Sequence, residues 1–189
     1  MMIRNDIEAC LPVLKTGGLI LYPTDTVWGI GCDATNPEAV AKIYRLKNRN
    51  EKKSMLILLA QEADILKYTS QEQLTIFDYI KGTTKPVTVI YQKARNLAPN
   101  LVNEDGSIGI RVVKDDFCRQ LLKAFGKPIV STSSNVSGYP PPAFFADIDV
   151  RIKKGVDYVV QHRQDDEMPG TPSTVIRLND DNSYEIIRP

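Results

Sequence analysis

Histidine occurs once in this chain of 189 residues, at His162. A single imidazole excludes metal sites built on paired histidines, the HExxH motif included. Its neighbours Arg163 and Asp165 mark it as a surface residue, with a general-base role as the minor alternative. Cysteine is scarce too: Cys10, Cys32 and Cys118 are far apart and form no C-x-x-C pair, so neither a disulfide framework nor a structural zinc site is indicated, and a reducing compartment fits. There is no G-x-x-x-x-G-K-[ST] loop for a nucleotide and no G-x-S-x-G nucleophile elbow. The longest apolar runs fall well short of a membrane span, and the N-terminus carries acids where a secretory leader would be basic. A cytoplasmic protein with no membrane contact is expected. Net charge is also small, 24 Lys and Arg against 23 Asp and Glu. That balance argues against coating nucleic acid through bulk electrostatics, but leaves room for a local basic surface. No internal stretch has linker composition, so one domain over residues 1–189 is expected.

A local cluster of basic residues is present. Between Lys42 and Lys53 stand six cations, Lys42, Arg45, Lys47, Arg49, Lys52 and Lys53, against the single acid Glu51. They follow a helix-start signal, Asn36-Pro37-Glu38, and a helix to about Lys47 that buries Ala39, Val40, Ile43 and Leu46. They precede the apolar run Met55 to Leu59, which reads as a buried strand. The cations thus occupy a helix-to-strand connection, where side chains converge on ligands. The plainer reading is that they complement the negative end of the helix dipole.

Elsewhere, apolar spacing and turn residues predict a helix from Asp6 to Thr16, with Ile7, Leu11 and Leu14 on one face, and a strand from Leu19 to Tyr22. The hydroxyl-rich segment Thr24 to Ala34 reads as a loop suited to binding. Its Gly29-x-Gly31-x-x-Ala34 lacks the adjoining strand and helix of a dinucleotide fingerprint, and a Rossmann fold is set aside. Further expectations are a helix from Ser70 to Ile80, strands at Val87 to Tyr91 and Ser107 to Val112, and a helix from Asp115 or Asp116 ended by Gly126. A strand at Pro128 to Val130 should open into the polar segment Ser131 to Gly138, which an ordinary turn also explains. A helix at Ile148 to Lys153, a strand at Tyr158 to Val160, and a closing strand pair at Ser173 to Leu178 and Tyr184 to Ile187 complete the chain. Interleaved helices and strands with a strand pair at the end indicate an α/β protein on one twisted mixed sheet.

Four segments together carry a resemblance: Leu21-Tyr22-Pro23-Thr24-Asp25-Thr26-Val27-Trp28-Gly29-Ile30-Gly31; Lys47-x-Arg49 with Lys53; Ser133-x-Asn135-x-Ser137-Gly138; and Ser173-Thr174-Val175. In this order and spacing the chain resembles the YrdC-like family of L-threonylcarbamoyladenylate synthases. The resemblance implies a twisted open mixed sheet flanked by helices around a concave, positively charged cavity. It implies synthesis of threonylcarbamoyl-AMP and pyrophosphate from L-threonine, bicarbonate or CO2, and ATP with Mg2+. The product would pass to a protein complex that modifies adenosine in tRNA. It implies catalytic cations at Lys47 and Arg49, ATP contacts at Arg49, Lys53, Ser107, Ser133, Asn135 and Arg188, and threonine contacts at Thr26, Arg111, Ser131 and Ser173, with no metal ligand assigned to the protein. The chain departs from the family pattern at Asn50, at Ser54-Met55 and at Leu58, where some members place a histidine on the threonine. These departures leave open a paralogue with an altered acyl substrate. Two other readings compete: a module that binds double-stranded RNA or tRNA without catalysis, and a carbamoyl-transfer domain of hydrogenase maturation type, disfavoured because the zinc-finger and acylphosphatase segments that accompany it are missing. The RNA module is disfavoured because bulk phosphate binding has no use for Thr26, Ser133 and Asn135, and because stacking aromatics are not concentrated near the cations.

Overall fold

Helix α1, Met2–Lys15, buries Asp6, Ile7, Cys10 and Leu14 along one stripe and stops where Gly17 takes φ 75°. It begins at Met2, ahead of the Asp6 start that apolar spacing indicates. In this computed structural model, residues 2–48, 55–71, 76, 80, 82–179, 181 and 183–189 are described. Strand β1, Ile20–Tyr22, turns at Pro23 and pairs antiparallel with β2, Gly29–Gly31. The hydroxyl-rich segment read as a loop is therefore a hairpin, its polar turn confined to 23–28. Helix α2, Pro37–Leu46, opens as its signal predicts: Asn36 Oδ1 accepts from the amides of Glu38 at 3.0 Å and Ala39 at 3.2 Å.

Strand β3, Leu56–Leu59, is followed by a 3-10 turn, Glu62–Asp64, and a short helix α3, Ile65–Tyr68, neither expected from the sequence. Three and four residues are too few for a periodic signal. Of the helix predicted from Ser70 to Ile80, residues 72–75 and 77–79 lie outside the described residues; Ile76 and Ile80 are helical and buried. Strands β4, Val87–Tyr91, and β5, Ile108–Val112, lead to helix α4, Asp116–Phe125. Asp115 caps it by accepting from the Cys118 amide at 2.8 Å, and Gly126 closes it in the left-handed region. Strand β6, Ile129–Ser133, carries Ser131, Thr132 and Ser133 as strand residues, so the plain-turn reading fails for that part of the segment. Helix α5, Val150–Gly155, starts two residues later than predicted because Asp149 is its N-cap. Strands β7, Tyr158–Val159, β8, Thr174–Leu178, and β9, Tyr184–Arg188, follow.

The nine strands form one mixed sheet in the order β7, β1, β2, β6, β3, β5, β4, β8, β9. Parallel pairing occurs at β1/β7, β3/β5 and β4/β8, antiparallel pairing elsewhere. Side chains alternate between faces along a strand, and the register sorts them into rows. Val130, Ile57, Ile110, Val89 and Ile176 are successive cross-strand partners, all buried. That row lies within the core, and α4 packs against β3 and α1. The next row is Ser131, Leu56, Gly109, Ile90 and Arg177, again successive partners. It faces the other way, into a concavity.

A buried carboxylate fastens one edge of this architecture. Asp6 accepts from the Tyr158 hydroxyl at 2.7 Å and from the amides of Gln161 at 3.0 Å and His162 at 2.9 Å, which ties α1 to the segment after β7. Burial, reinforced by this hydrogen bond, pushes the Tyr158 hydroxyl above its ordinary range, keeping it a donor. His162 is half-buried, with its ring 5.7 Å from that of Phe117, which corrects the surface reading. Asp6→Ala is expected to cost about 2–3 kcal/mol by stripping three donors of their acceptor; an unchanged denaturant midpoint would contradict this clamp. All three cysteines are free and buried, with the Cys10 thiol pushed up to about 12 by burial. Native protein should therefore resist a thiol reagent at neutral pH, and label fully once denatured.

Candidate active site

The concave face holds a cavity of about 590 Å³. Its floor is the row Ser131, Leu56, Gly109, Ile90 and Arg177, and Gly109 keeps it flat: a Cβ there would stand 3.2 Å from Leu56 Cβ and 3.4 Å from Thr88 Cγ2. Gly29 has a like role at the β2 edge, where a Cβ would meet Ser131 Oγ at 3.2 Å.

At the deep end lies the turn between β1 and β2. Thr24 Oγ1 donates to the Val27 carbonyl at 2.8 Å, accepts from the Thr26 amide at 3.1 Å, and lies 2.9 Å from Thr26 Oγ1. Arg111, from β5, reaches this turn with Nη2 3.5 Å from Thr24 Oγ1 and Nε 3.3 Å from Asp25 Oδ1. The Arg111 and Asp25 side chains are 4% and 8% exposed. Nε and Oδ1 are close enough to pair as ions yet are not aligned for a hydrogen bond. Beneath them, burial drives the Cys118 thiol and the Tyr22 hydroxyl far above their ordinary ranges, so both are neutral. No protein nucleophile is prepared there, and the deep end offers a fixed guanidinium among neutral hydroxyls, a setting for a small carboxylate.

The β8 side adds a second polar group. Ser173 Oγ and Thr88 Oγ1 share a hydrogen bond of 2.9 Å, and Arg188 donates through Nε at 3.1 Å and Nη2 at 2.9 Å to the Ser173 carbonyl. Toward the mouth, Ser107 donates its amide at 3.0 Å and its hydroxyl at 2.6 Å to Asp105 Oδ1, and receives Asn103 Nδ2 at 2.9 Å. These bonds hold the Asp105 carboxyl below its ordinary range.

Seven of the residues singled out in the sequence line this one cavity: Thr26, Ser107, Arg111, Ser131, Ser133, Ser173 and Arg188. Two others do not. Lys47 is fully buried, and its ammonium donates to the carbonyls of Ser133 and, at 2.7 Å, Asn135. Asn135 donates to the carbonyls of Val136 at 3.0 Å and Tyr139 at 2.6 Å, and accepts from the Ser133 hydroxyl. Both shape the loop after β6; Lys47 is enclosed, and Asn135 borders a separate cavity with Val136 and Tyr139. Arg49 and Lys53 lie outside the described residues. Sequence reading missed Thr88, Asn103, Asp105 and Arg177, which also line the cavity. Thr88 had a usable signal, a hydroxyl between Val87 and Val89 in a β-branched strand; the others are ordinary loop or strand polar residues. Among the described residues no group of three or more His, Cys, Asp or Glu is gathered to hold a metal, and no helix is long and apolar enough to cross a membrane.

A half-open mixed sheet with hydroxyls and arginines lining its concave face defines an α/β protein built to receive a polar, anionic small molecule. The Sua5/YciO/YrdC family model, described as "Telomere recombination", matches residues 12–189, and the chain belongs to that family. A threonylcarbamoyl-AMP synthase of Vibrio campbellii is 36% identical over 140 residues, covering 72% of this chain and 76% of the relative. One of Idiomarina loihiensis is 28% identical over 184 residues, 96% of each chain. Among solved structures, E. coli YciO superposes with a TM-score of 0.83 at 24% identity, covering 98% of this chain and 89% of YciO. P. abyssi Sua5 complexed with L-threonine superposes at 0.84 and 21% identity. The present chain is covered to 97% but spans only about half of that Sua5 chain, 53%. The two superpositions bear on the fold, which agrees with the mixed sheet and flanking helices expected from sequence.

Arg111→Ala should leave the Asp25 charge buried without its partner and cost about 3–5 kcal/mol. Adding Asp25→Ala should recover part of that loss in urea melts, whereas strictly additive losses would refute the pairing.

Proposed function

We propose that this chain is an L-threonylcarbamoyladenylate synthase. In this reading L-threonine, bicarbonate or CO2, and ATP give threonylcarbamoyl-AMP and pyrophosphate, and the adenylate serves threonylcarbamoyl modification of adenosine in tRNA by a partner complex in the cytoplasm. The observation that carries it is the single cavity in which the Arg111 guanidinium, fixed against Asp25 and Thr24, shares the lining with Thr26, Ser131 and Ser173. The deep end of that cavity suits the carboxylate, ammonium and hydroxyl of a small amino acid. The naming of the curated relatives supports the same activity.

The chemistry needs no protein nucleophile. The threonine amine adds to CO2 and sheds a proton, giving a carbamate; a carbamate oxygen then attacks the α-phosphorus while pyrophosphate leaves. The protein supplies orientation and charge. Arg111 would hold the threonine carboxylate through its planar fork. Ser107, Ser133 and Arg188 line the same cavity and are assigned to the nucleotide, with Arg49 and Lys53 as the cations for the triphosphate and Asn135 and Lys47 holding the loop that presents Ser133. A catalytic role of Lys47 would then run through that loop. Mg2+ enters as the companion of the phosphates, held by them with few protein oxygens. In this reading Arg111 and Arg188, together with Arg49 and Lys53, would outweigh Glu104 and Asp105 and give the cavity the positive character the anionic substrates need.

A second reading, an altered acyl substrate, is favoured by one observation: Leu58 is the cross-strand partner of Arg111 and is fully buried, which sets an apolar residue beside the carboxylate partner. Pyrophosphate release measured with threonine, serine or other small amino acids, each with and without bicarbonate, separates the two. Release that requires threonine and bicarbonate is the expected result. No release with any amino acid, together with tight, salt-sensitive RNA binding, would instead favour the RNA module. Arg111→Lys keeps a cation beside Asp25 but loses the bidentate fork. It is expected to raise the KM for threonine by about ten- to a hundredfold with little change for ATP; equal effects on both substrates would remove Arg111 from the amino-acid end.

A further inference from the structure

Thr88 and Arg111 are neighbours in the lining of the cavity. Strands β4 and β5 run antiparallel with Val89 opposite Ile110, so one step further along each strand Thr88 stands beside Arg111, on the face that carries Ile90 and Gly109. Two contacts fix the orientation of the Thr88 side chain. Its methyl reaches toward Gly109, where a Cβ would stand 3.4 Å from Cγ2, and its hydroxyl lies 2.9 Å from Ser173 Oγ. Thr88 thereby bridges the strand that carries Arg111 and the serine at the head of β8.

A hydroxyl has one proton to give and two lone pairs to receive with. Arg188 Nη2, 3.4 Å from Ser173 Oγ, can only donate, and occupies one lone pair of that oxygen. The direction of the bond to Thr88 then decides what Ser173 offers a ligand. If Thr88 donates, both lone pairs are taken and the Ser173 proton is free; if Ser173 donates, its proton is turned away from the ligand. Among the described residues the Thr88 hydroxyl has no partner besides Ser173. A carboxylate beside Arg111 only accepts, so it selects the first direction, in which both hydroxyl protons are used. We propose that Thr88 is a positioning residue for the amino-acid substrate, donating its hydroxyl proton to Ser173 Oγ so that the Ser173 proton meets the carboxylate held by Arg111. The inference rests on the threonine-binding reading given above.

The test combines calorimetric titration of threonine with pyrophosphate release at varied threonine and varied ATP. Wild type, Thr88→Val, Thr88→Ser, Ser173→Ala and the Thr88→Val/Ser173→Ala double variant are compared, each checked by thermal melting. Thr88→Val keeps the branched shape and loses the hydroxyl; it should weaken threonine binding and raise the threonine KM by about tenfold, with the KM for ATP unchanged. Thr88→Ser keeps the hydroxyl and should recover most of that loss. Because Thr88 acts through Ser173, adding Thr88→Val to Ser173→Ala should weaken threonine little further. If Thr88→Val melts early, Thr88→Ala, also without the hydroxyl, takes its place. Threonine affinity equal to wild type in a folded variant without the hydroxyl overturns the assignment and leaves the synthase reading intact. Losses that add fully in the double variant overturn it as well, as does a Thr88→Ser variant no better than Thr88→Val. A wild type that neither binds threonine nor releases pyrophosphate with it would defeat the synthase reading, and this inference with it.

Discussion

A guanidinium and a carboxylate, each more than nine-tenths buried, face one another across 3.3 Å at the deep end of the cavity, and much of the site follows from that fact. Neither Arg111 nor Asp25 can be taken out of water alone, so the β1–β2 turn must approach β5 closely enough to pair them. The turn is rigid for its own reasons, with Thr24 bonded to Thr26 and Val27. Arg163 holds it from outside, donating to the Thr24 carbonyl at 3.1 Å and to Asp115 at 3.2 Å. A charge that the fold must pair anyway is thereby held in a fixed position in the cavity lining.

The alternation of the sheet does the rest. One row of cross-strand partners, Val130, Ile57, Ile110, Val89 and Ile176, gives the core its apolar layer; the next row gives the cavity its floor. A glycine at 109 in that second row decides that the floor is a surface and not a packed layer. The loop after β6 is fixed by a buried lysine where a hydrophobic anchor would have served for packing alone. The Lys47 ammonium draws two carbonyls of that loop to the end of α2, and the Ser137 amide returns a hydrogen bond to the Lys47 carbonyl at 2.9 Å. Structural and functional demands on polar residues are thus met by the same segments, with different atoms.

How much was legible in advance divides along the range of the signal. Helices α2 and α4 were placed closely because their caps, Asn36 and Asp115, act on amides two or three residues away. Strands β4 and β5 announced themselves through β-branched runs. The short α3 and the hairpin strand Gly29–Gly31 did not, because three or four residues carry no period and glycine has little strand propensity. The serines of β6 read as turn residues because hydroxyls favour turns locally; pairing with β2 and β3 overrides that preference.

Fold class, the order of most elements and the residue types at the site were already fixed locally, because caps, periodicity and turn chemistry act within a few residues of one another. The fold alone settled which polar groups line the cavity. Lys47 stood in the densest run of cations and is wholly enclosed, since its partners at Ser133 and Asn135 lie 86 and 88 residues along the chain. Arg177 stood unremarked in the predicted strand Ser173 to Leu178 and lines the cavity, since the register of β4 against β8 turned it there. A side chain's local sequence fixes its chemistry, but the direction in which it points is set by the strand or carbonyl that the fold brings beside it.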